Sequence, residues 1–224
     1  MNPTSEVLLT RLLQLASPTL PVGAYSYSQG MEPAIEARIV VDAGSARAWI
    51  EDVLELAVAG MEAPVFLRLF SAWQVGDEAA ARRWNEVLLA SRESAELRAE
   101  TVQMGYSLTR LLTELSEKHP FGDWDEVSYA AAYTWWAVRS GIVRGAALTA
   151  YLWSWAENQI MAAVKAVPLG QSAGQRLLLA LGPIVAGHAS RAETIGDDAM
   201  GNLAPGLALL SAQHETQYSR LFRS

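Results

Sequence analysis

Cysteine is absent from this chain, and histidine is nearly absent. Without cysteine there can be no disulfide, no thiolate metal ligand and no cysteine nucleophile. The 3 histidines, His119, His188 and His214, are too widely spaced for any two to share a helix face, and no HxxxH or HExxH pattern occurs. The sequence therefore indicates no local metal site, although separate helices could still assemble one.

Charged side chains are also scarce. They make up 18% of the chain, whereas 51% of it is hydrophobic, and an average globular protein is about 25% charged. The apolar surplus has two interpretations: a helical protein rich in alanine and leucine, or apolar surface buried against a second subunit or a partner. The net charge is −7 and no basic block occurs, so nucleic acid is not an expected partner.

Neither a membrane span nor a signal peptide is indicated. The longest apolar stretches, 146–156 and 177–189, are too short to cross a bilayer, and the second contains Pro183. Glu6 and Arg11 interrupt the apolar pattern near the start, unlike the apolar core of a signal peptide. We expect a soluble, cytoplasmic protein, and the lack of cysteine fits a reducing compartment.

Helical periodicity dominates, and no strand alternation appears. The sequence predicts one all-α domain over residues 1–224, a bundle of about eight to ten helices with short loops. We expect Ser45 to cap a helix that ends at Gly60, with Pro64 in the first turn of the next helix. Asp77 is the expected N-cap of the helix after that.

The second half of the chain is more apolar. After an amphipathic helix near 97–115, two strongly apolar helices are predicted near 126–140 and 145–167, and they hold four of the 8 tryptophans. Helices that are apolar nearly all round are typical of a bundle centre or a subunit interface. A further helix is expected over 172–189, and a last one begins near Pro205.

The sequence contains no complete catalytic motif of the kinds considered below. The glycine-rich turn at 170–176 is one residue short of a phosphate loop and lacks its Lys-Ser/Thr pair. Residues 27–30 lack the first glycine of a nucleophile elbow. The carboxylates of Asp197 and Asp198 lie in a polar segment where solvation is the ordinary state. The sequence therefore predicts a protein that is not an enzyme.

Three segments differ from ordinary helix sequence. Residues 17–32 form a stiff, weakly charged loop of prolines, glycines, rings and hydroxyls, which suits a contact surface or a loop packed across the bundle end. Lys165 interrupts an apolar run and either reaches solvent or meets a partner's carboxylate. Residues 213–224 hold an aromatic–arginine cluster with interface composition.

On a helix, the last segment would place His214, Tyr218 and Leu221 on one face. Such a tail either packs on its own domain or docks on another protein, and we favour the second. This view predicts that removing residues 214–224 leaves the helices intact. It also makes 205–224 a partner-binding segment.

Several motifs resemble those of the UreF family, in the family's order and over nearly the whole chain. They are the opening LLQL…SP…LPVG…SQGME (12–32), ASRESAELR…QMG (90–105), PLGQSAGQ (168–175) and, most specifically, HETQYSRLFRS (214–224). One departure is visible: Tyr25 and Tyr27 stand where many relatives have an aromatic residue and a histidine. Any metal handling by that histidine is then lost here.

The resemblance implies a helical homodimer that binds UreD (also called UreH), recruits the GTPase UreG and docks on urease apoprotein. Nickel and GTP would be handled by the complex, with no cofactor held by this chain. The loop and tail would face UreD, and Lys165 with the 170–175 turn would lie near UreG or the route of the metal. The expected partner-binding residues are Pro21, Gly23, Tyr25, Ser28, Glu32, Lys165, Gly170, Gln171, Gln175, His214, Glu215, Gln217, Tyr218, Arg220, Leu221 and Phe222.

An alternative keeps the same partners but assigns a different role. The protein would then activate GTP hydrolysis by UreG, inserting an arginine that stabilises charge on the transferred phosphoryl group. The candidates are Arg144, Arg176 and Arg220.

Overall fold

The computed structural model describes residues 4–224, so the first three residues of the predicted 1–224 domain lie outside it. This part of the chain is all-α, as predicted, and contains no β-strand. The α-helices are α1 (Ser5–Leu15), α2 (Met31–Glu36), α3 (Ala43–Val53), α4 (Ala63–Val75), α5 (Glu78–Ala90), α6 (Ala95–Glu114), α7 (Tyr129–Arg139), α8 (Arg144–Ala166), α9 (Gln171–Ala192) and α10 (Pro205–His214).

Side-chain caps fix several helix starts. Asp77 caps α5, as predicted, by accepting a hydrogen bond from the amide of Ala80 at 2.9 Å. The prediction that Ser45 caps α3 was wrong, because Asp42 is the cap and Ser45 lies one turn inside the helix. The Asp42 carboxylate accepts from the Ser45 amide while the Ser45 hydroxyl accepts from the Asp42 amide. This reciprocal pair moves the helix start back by one turn.

The predicted break at Gly60 is also wrong, because a π-helical segment, Leu54–Glu62, joins α3 to α4 without interruption. Its carbonyls at Leu56 and Gly60 accept hydrogen bonds from the amides of Leu203 and Gly201. A Cβ on Gly60 would lie 2.8 Å from the Gly201 carbonyl oxygen. Gly60 therefore permits a close backbone approach instead of ending the helix.

The core is centred on α4, α7 and α8. Every residue of α7 from Ala130 to Ala137 is buried, including Trp135 and Trp136. α8 packs its buried face against α9, α4 and α7. These two apolar helices, α7 and α8, therefore lie at the centre of the bundle, as one of the two interpretations predicted.

α9 continues through Pro183 and is longer than predicted at both ends. Among residues 4–224, no helix combines the length and the apolarity needed to cross a membrane. α10 begins at Pro205, as predicted, but it ends at His214. The remaining residues are not helical, so the predicted helical face of His214, Tyr218 and Leu221 does not exist.

Candidate partner-binding site

The predicted loop of residues 17–32 is shorter in the structure, because α2 already begins at Met31; residues 16–30 (the loop from here on) turn through two glycines with positive φ. Gly23 has φ +79° and precedes a 3₁₀ turn at Ala24–Ser26, and Gly30 has φ +82° at the start of α2. Only glycine adopts these conformations without strain. The turn directs Tyr25 to solvent, where its side chain is 66% exposed.

The segment after α10, residues 215–224 (the tail), folds back along the loop. The Arg223 amide donates to the Ser26 carbonyl at 2.8 Å. Both the amide and the hydroxyl of Ser28 donate to the Ser224 carbonyl, at 2.7 and 2.5 Å. The loop and the tail, which the sequence analysis assigned to one surface, therefore lie side by side.

Glu32, on α2, binds the tail through its carboxylate. Its Oε1 accepts from the Leu221 amide at 2.7 Å, and its Oε2 accepts from the Phe222 amide at 2.8 Å. The side chains of Gln217 and His214 approach the same carboxylate at 3.4 Å each. One acidic side chain thus engages four groups at the end of the chain.

Glu96, in the first turn of α6, makes a second set of contacts. It faces His214 Nδ1 at 2.6 Å and accepts from Arg220 Nη1 at 2.5 Å. The rest of the Arg220 guanidinium donates to the carbonyls of Gln217 and Glu215. The Glu215 carboxylate accepts from the Ala95 amide at 2.9 Å, so it adds to the N-terminal capping of α6.

The tail is therefore packed on its own domain, which is the alternative that we did not favour from sequence. His214, Phe222 and Ser224 are buried. The expectation that residues 214–224 can be removed without loss of structure is inconsistent with this burial. Docking on another protein stays a prediction for the exposed side of the tail.

The predicted residues consequently fall into two groups. Ser28, Glu32, His214, Glu215, Gln217 and Arg220 make hydrogen bonds within the protein. Tyr218 is fully exposed and Leu221 is 50% exposed. Exposed Lys165 places its Nζ 4.6 Å from the centre of the Phe222 ring, which brings it to the tail. Of the remaining members, Pro21, Tyr25, Gly170, Gln171 and Gln175 are exposed, Gly23 is half-buried and Phe222 is buried.

Gly170, Gln171 and Gln175 lie at the start of α9. No side-chain hydrogen bond among residues 4–224 connects them to the loop or the tail. From the sequence we expect them to lie near UreG or the route of the metal, apart from the loop and the tail, and this stays a prediction.

An interior ion pair was missed by the sequence analysis. Glu62 ends the π-helical segment and is 9% exposed at its side chain. It accepts from Arg92 Nη2 at 2.6 Å and from the Tyr151 hydroxyl. The only sequence signal for this role is a carboxylate within the apolar stretch 57–67. Nothing local identifies its partners, which are 30 and 89 residues away.

Glu100 connects this interior to the site. It accepts from the Gln29 side chain and from the Ser224 hydroxyl, the latter at 2.8 Å. Together with Glu62 and Arg92 it lines a cavity of about 60 Å³. Burial raises the pKa of Glu100 to about 7, although the hydrogen bonds from Gln29 and Ser224 oppose the shift. This carboxyl group is thus partly protonated near neutral pH.

Three tyrosines and a phenylalanine stack beside the ion pair. Tyr151 packs against Phe66, Tyr129 and Tyr133 with ring centroids 4.9, 5.5 and 5.1 Å away. Burial raises the pKa of Tyr133 and Tyr151 well above the usual value, so both rings remain neutral. Only Tyr151 of these two has a hydrogen-bond partner for its hydroxyl among residues 4–224.

This difference predicts that the same tyrosine-to-phenylalanine change costs much less stability at Tyr133 than at Tyr151. Tyr133→Phe removes an unpartnered hydroxyl and should change the free energy of unfolding by less than about 1 kcal/mol. Tyr151→Phe removes a donor from buried Glu62 and should cost about 1.5–3 kcal/mol. Urea denaturation of both variants checks this, and equal losses would contradict the assigned hydrogen bond.

The described residues contain no group of three or more histidine, cysteine or acidic side chains able to hold a metal ion.

The three arginines that could activate GTP hydrolysis differ in how strongly their guanidinium groups are bound within the protein. Arg220 is fully engaged, whereas Arg144 makes two long contacts of 3.4 Å. Arg176 is exposed on α9, and its side chain makes no ion pair within residues 4–224.

The similarity of this chain to known proteins extends over both the helical bundle and the loop and tail. The UreF family model matches residues 40–182. The chain is similar to the urease accessory protein UreF of Azoarcus sp. (strain BH72), with 54% identity across 100% of this chain and 99% of that protein. UreF of Dechloromonas aromatica (strain RCB) is 51% identical over 96% of this chain and 97% of that protein. UreF of Janthinobacterium sp. (strain Marseille) is 50% identical, covering 96% and 98%.

Proposed function

We propose a function for this chain from one premise: it belongs to the UreF family of urease accessory proteins. On this basis it is a non-catalytic, cytoplasmic adaptor that binds UreD and UreG and supports GTP-dependent assembly of the urease nickel centre. Nickel and GTP are handled by the complex, and the adaptor acts as a homodimer.

The observation that carries the proposal is the tail edge, which we define as Tyr218 and Leu221. Both side chains face solvent, although the Leu221 amide donates to the Glu32 carboxylate and the Gln217 side chain, next to Tyr218, approaches the same carboxylate at 3.4 Å. A large aromatic ring on an ordered backbone loses little conformational entropy when it is covered by a partner. The tail edge is therefore the proposed anchor for UreD, with Tyr25 and Lys165 as further contacts.

Tyr218→Ala tests this anchor. Because the side chain is fully exposed, the fold should be unaffected, while the dissociation constant for UreD should rise roughly 30-fold, the loss expected for a hot-spot tyrosine. Isothermal titration with purified UreD measures this change. Urease from cells carrying the complete urease gene cluster with this variant should contain less nickel.

Tyr106→Ala is the matched control, because Tyr106 is also exposed, at 60%, but lies three turns into α6. Its UreD affinity should equal that of the unmodified protein. Unchanged affinity after both Tyr218→Ala and Leu221→Ala would refute the tail edge as the anchor. Normal nickel loading in the complete absence of this protein would refute the maturation role itself.

The alternative of an activating arginine now depends mainly on Arg176 and Arg144. Arg220 would first have to release Glu96 and two backbone carbonyls. Single-turnover GTP hydrolysis by UreG separates the two roles. A few-fold acceleration supports an adaptor, whereas a much larger one that is lost in Arg176→Ala supports an arginine finger.

A further inference from the structure

Three glutamate side chains on the bundle converge on the tail. The side chains of Glu32 and Glu96 are 12% and 14% exposed, and Glu100 as a whole residue is 3% exposed. Carboxylates that are this deeply buried are unfavourable unless donors satisfy them. Each of the three accepts from the last segment of the chain, through Leu221, Arg220 and Ser224 respectively. The bundle thus carries an acceptor site for its own tail.

Glu32 differs from the other two because it binds backbone. Its two oxygens accept from the consecutive amides of Leu221 and Phe222. These amides belong to no helix or strand, so no regular structure satisfies them. The two hydrogen bonds to one carboxylate orient the two peptide planes on either side of Leu221, and this orientation sets the direction of the Leu221 side chain.

The result is a division of the tail into an inner and an outer side. Phe222 is 6% exposed and packs beneath Lys165, whereas Leu221, its immediate neighbour, is 50% exposed. Gln217 is held by the same carboxylate, and Tyr218 follows it into solvent. Glu32 therefore binds the backbone at the Leu221 end of the tail edge and reaches the Tyr218 end through the Gln217 side chain, although its own side chain is only 12% exposed.

We propose that Glu32 is a positioning residue for the tail edge, which acts through the tail backbone and does not touch the partner. This inference rests on the proposed function, and it changes the role that the sequence analysis gave to Glu32 as a contact residue. The partner would recognise an aromatic and an aliphatic side chain presented in fixed order by an internal carboxylate.

The direct test is hydrogen exchange of the Leu221 and Phe222 amides, which needs no partner. In Glu32→Ala both amides should exchange roughly 10- to 100-fold faster, because each loses a charged acceptor. Glu32→Gln keeps one carbonyl oxygen and should give an intermediate rate. Glu36→Ala, an exposed acid at the end of the same short helix, should leave both rates unchanged.

If Glu32 had only a general structural role, Glu32→Ala would show a different pattern. Amide exchange would then accelerate throughout α2 and the rest of the bundle, and the thermal unfolding midpoint would fall as well. We expect faster exchange only in the tail. The exchange rate should be unchanged in Glu36→Ala, intermediate in Glu32→Gln and highest in Glu32→Ala. Unchanged Leu221 and Phe222 exchange in Glu32→Ala would overturn the positioning role, whatever the partner does.

UreD affinity then separates this inference from the proposed function. It should fall in Glu32→Ala about as much as in Tyr218→Ala, while Tyr218→Ala leaves amide exchange unchanged. Faster exchange without any loss of UreD affinity would contradict the tail edge as an anchor but keep Glu32 as the residue that orders the tail. Lost affinity with unchanged exchange would instead make Glu32 a direct contact.

Discussion

Gly105→Ala is expected to lower the free energy of unfolding by about 3 kcal/mol or more. Gly105 lies where α6 crosses the segment that leads into α7. An added Cβ would overlap the Val127 carbonyl oxygen and lie 2.8 Å from the carbonyl carbons of Val127 and Ser128. Backbone atoms cannot rotate away as a side chain can, so α6 and α7 would have to move apart. Urea denaturation measures the loss.

Gly187→Ala is the control for this prediction. Gly187 is also inside a long helix, α9, but nothing lies within 4 Å of the position that a Cβ would take. Alanine is favoured over glycine in a helix by about 0.5–1 kcal/mol, so this variant should be more stable than the unmodified protein. If both substitutions raised stability, the close approach at Gly105 would be disproved.

Arg92→Met should cost about 3–5 kcal/mol, the loss seen when one partner of a buried ion pair is removed. Within residues 4–224, it would leave the buried Glu62 carboxylate with the Tyr151 hydroxyl as its one remaining side-chain donor. The same cavity reaches Gln29 and Glu100, which hold the loop and the tail. Chemical denaturation should therefore show a large loss, and the tail amides should lose protection together with the core.

Two further variants make this result interpretable. Arg110→Ala removes an exposed ion pair with Glu114, whose partners are 69% and 61% exposed, and should cost less than about 0.5 kcal/mol. Adding Glu62→Gln to Arg92→Met removes the stranded charge and should recover part of the lost stability. A double variant no more stable than Arg92→Met alone would show that the loss comes from packing and not from an unpaired charge.

The helices themselves were largely predictable because their signals are local. Asp77 as an N-cap, the start of α10 at Pro205 and the apolar helices that became α7 and α8 all depend on residues within a few positions of one another. The error at Ser45 was also local, because Asp42 three residues earlier is the cap, but the error at Gly60 came from a contact far along the chain. Gly60 has the character of a helix terminator in sequence, but Gly201 approaches it from a distant loop.

The candidate site was predicted only in outline. Composition singled out the loop and the tail, and the structure brings them together through Ser26, Ser28, Arg223 and Ser224. Composition could not separate the side chains that face inward from those that face solvent, because the tail is not helical and no periodicity applies to it. Tyr218 is fully exposed, whereas Phe222, four residues later, is buried.

The sequence by itself determined that this chain is an apolar, cysteine-free helical bundle without a catalytic motif, because periodicity, caps and missing residue types are local properties. Only the tertiary structure decided that Glu62, Arg92 and Tyr151 share one interior site and that Glu32 holds the tail. These groups are separated by 30 to 190 residues along the chain. Their burial, and therefore their need for one another, arises only when the helices pack together.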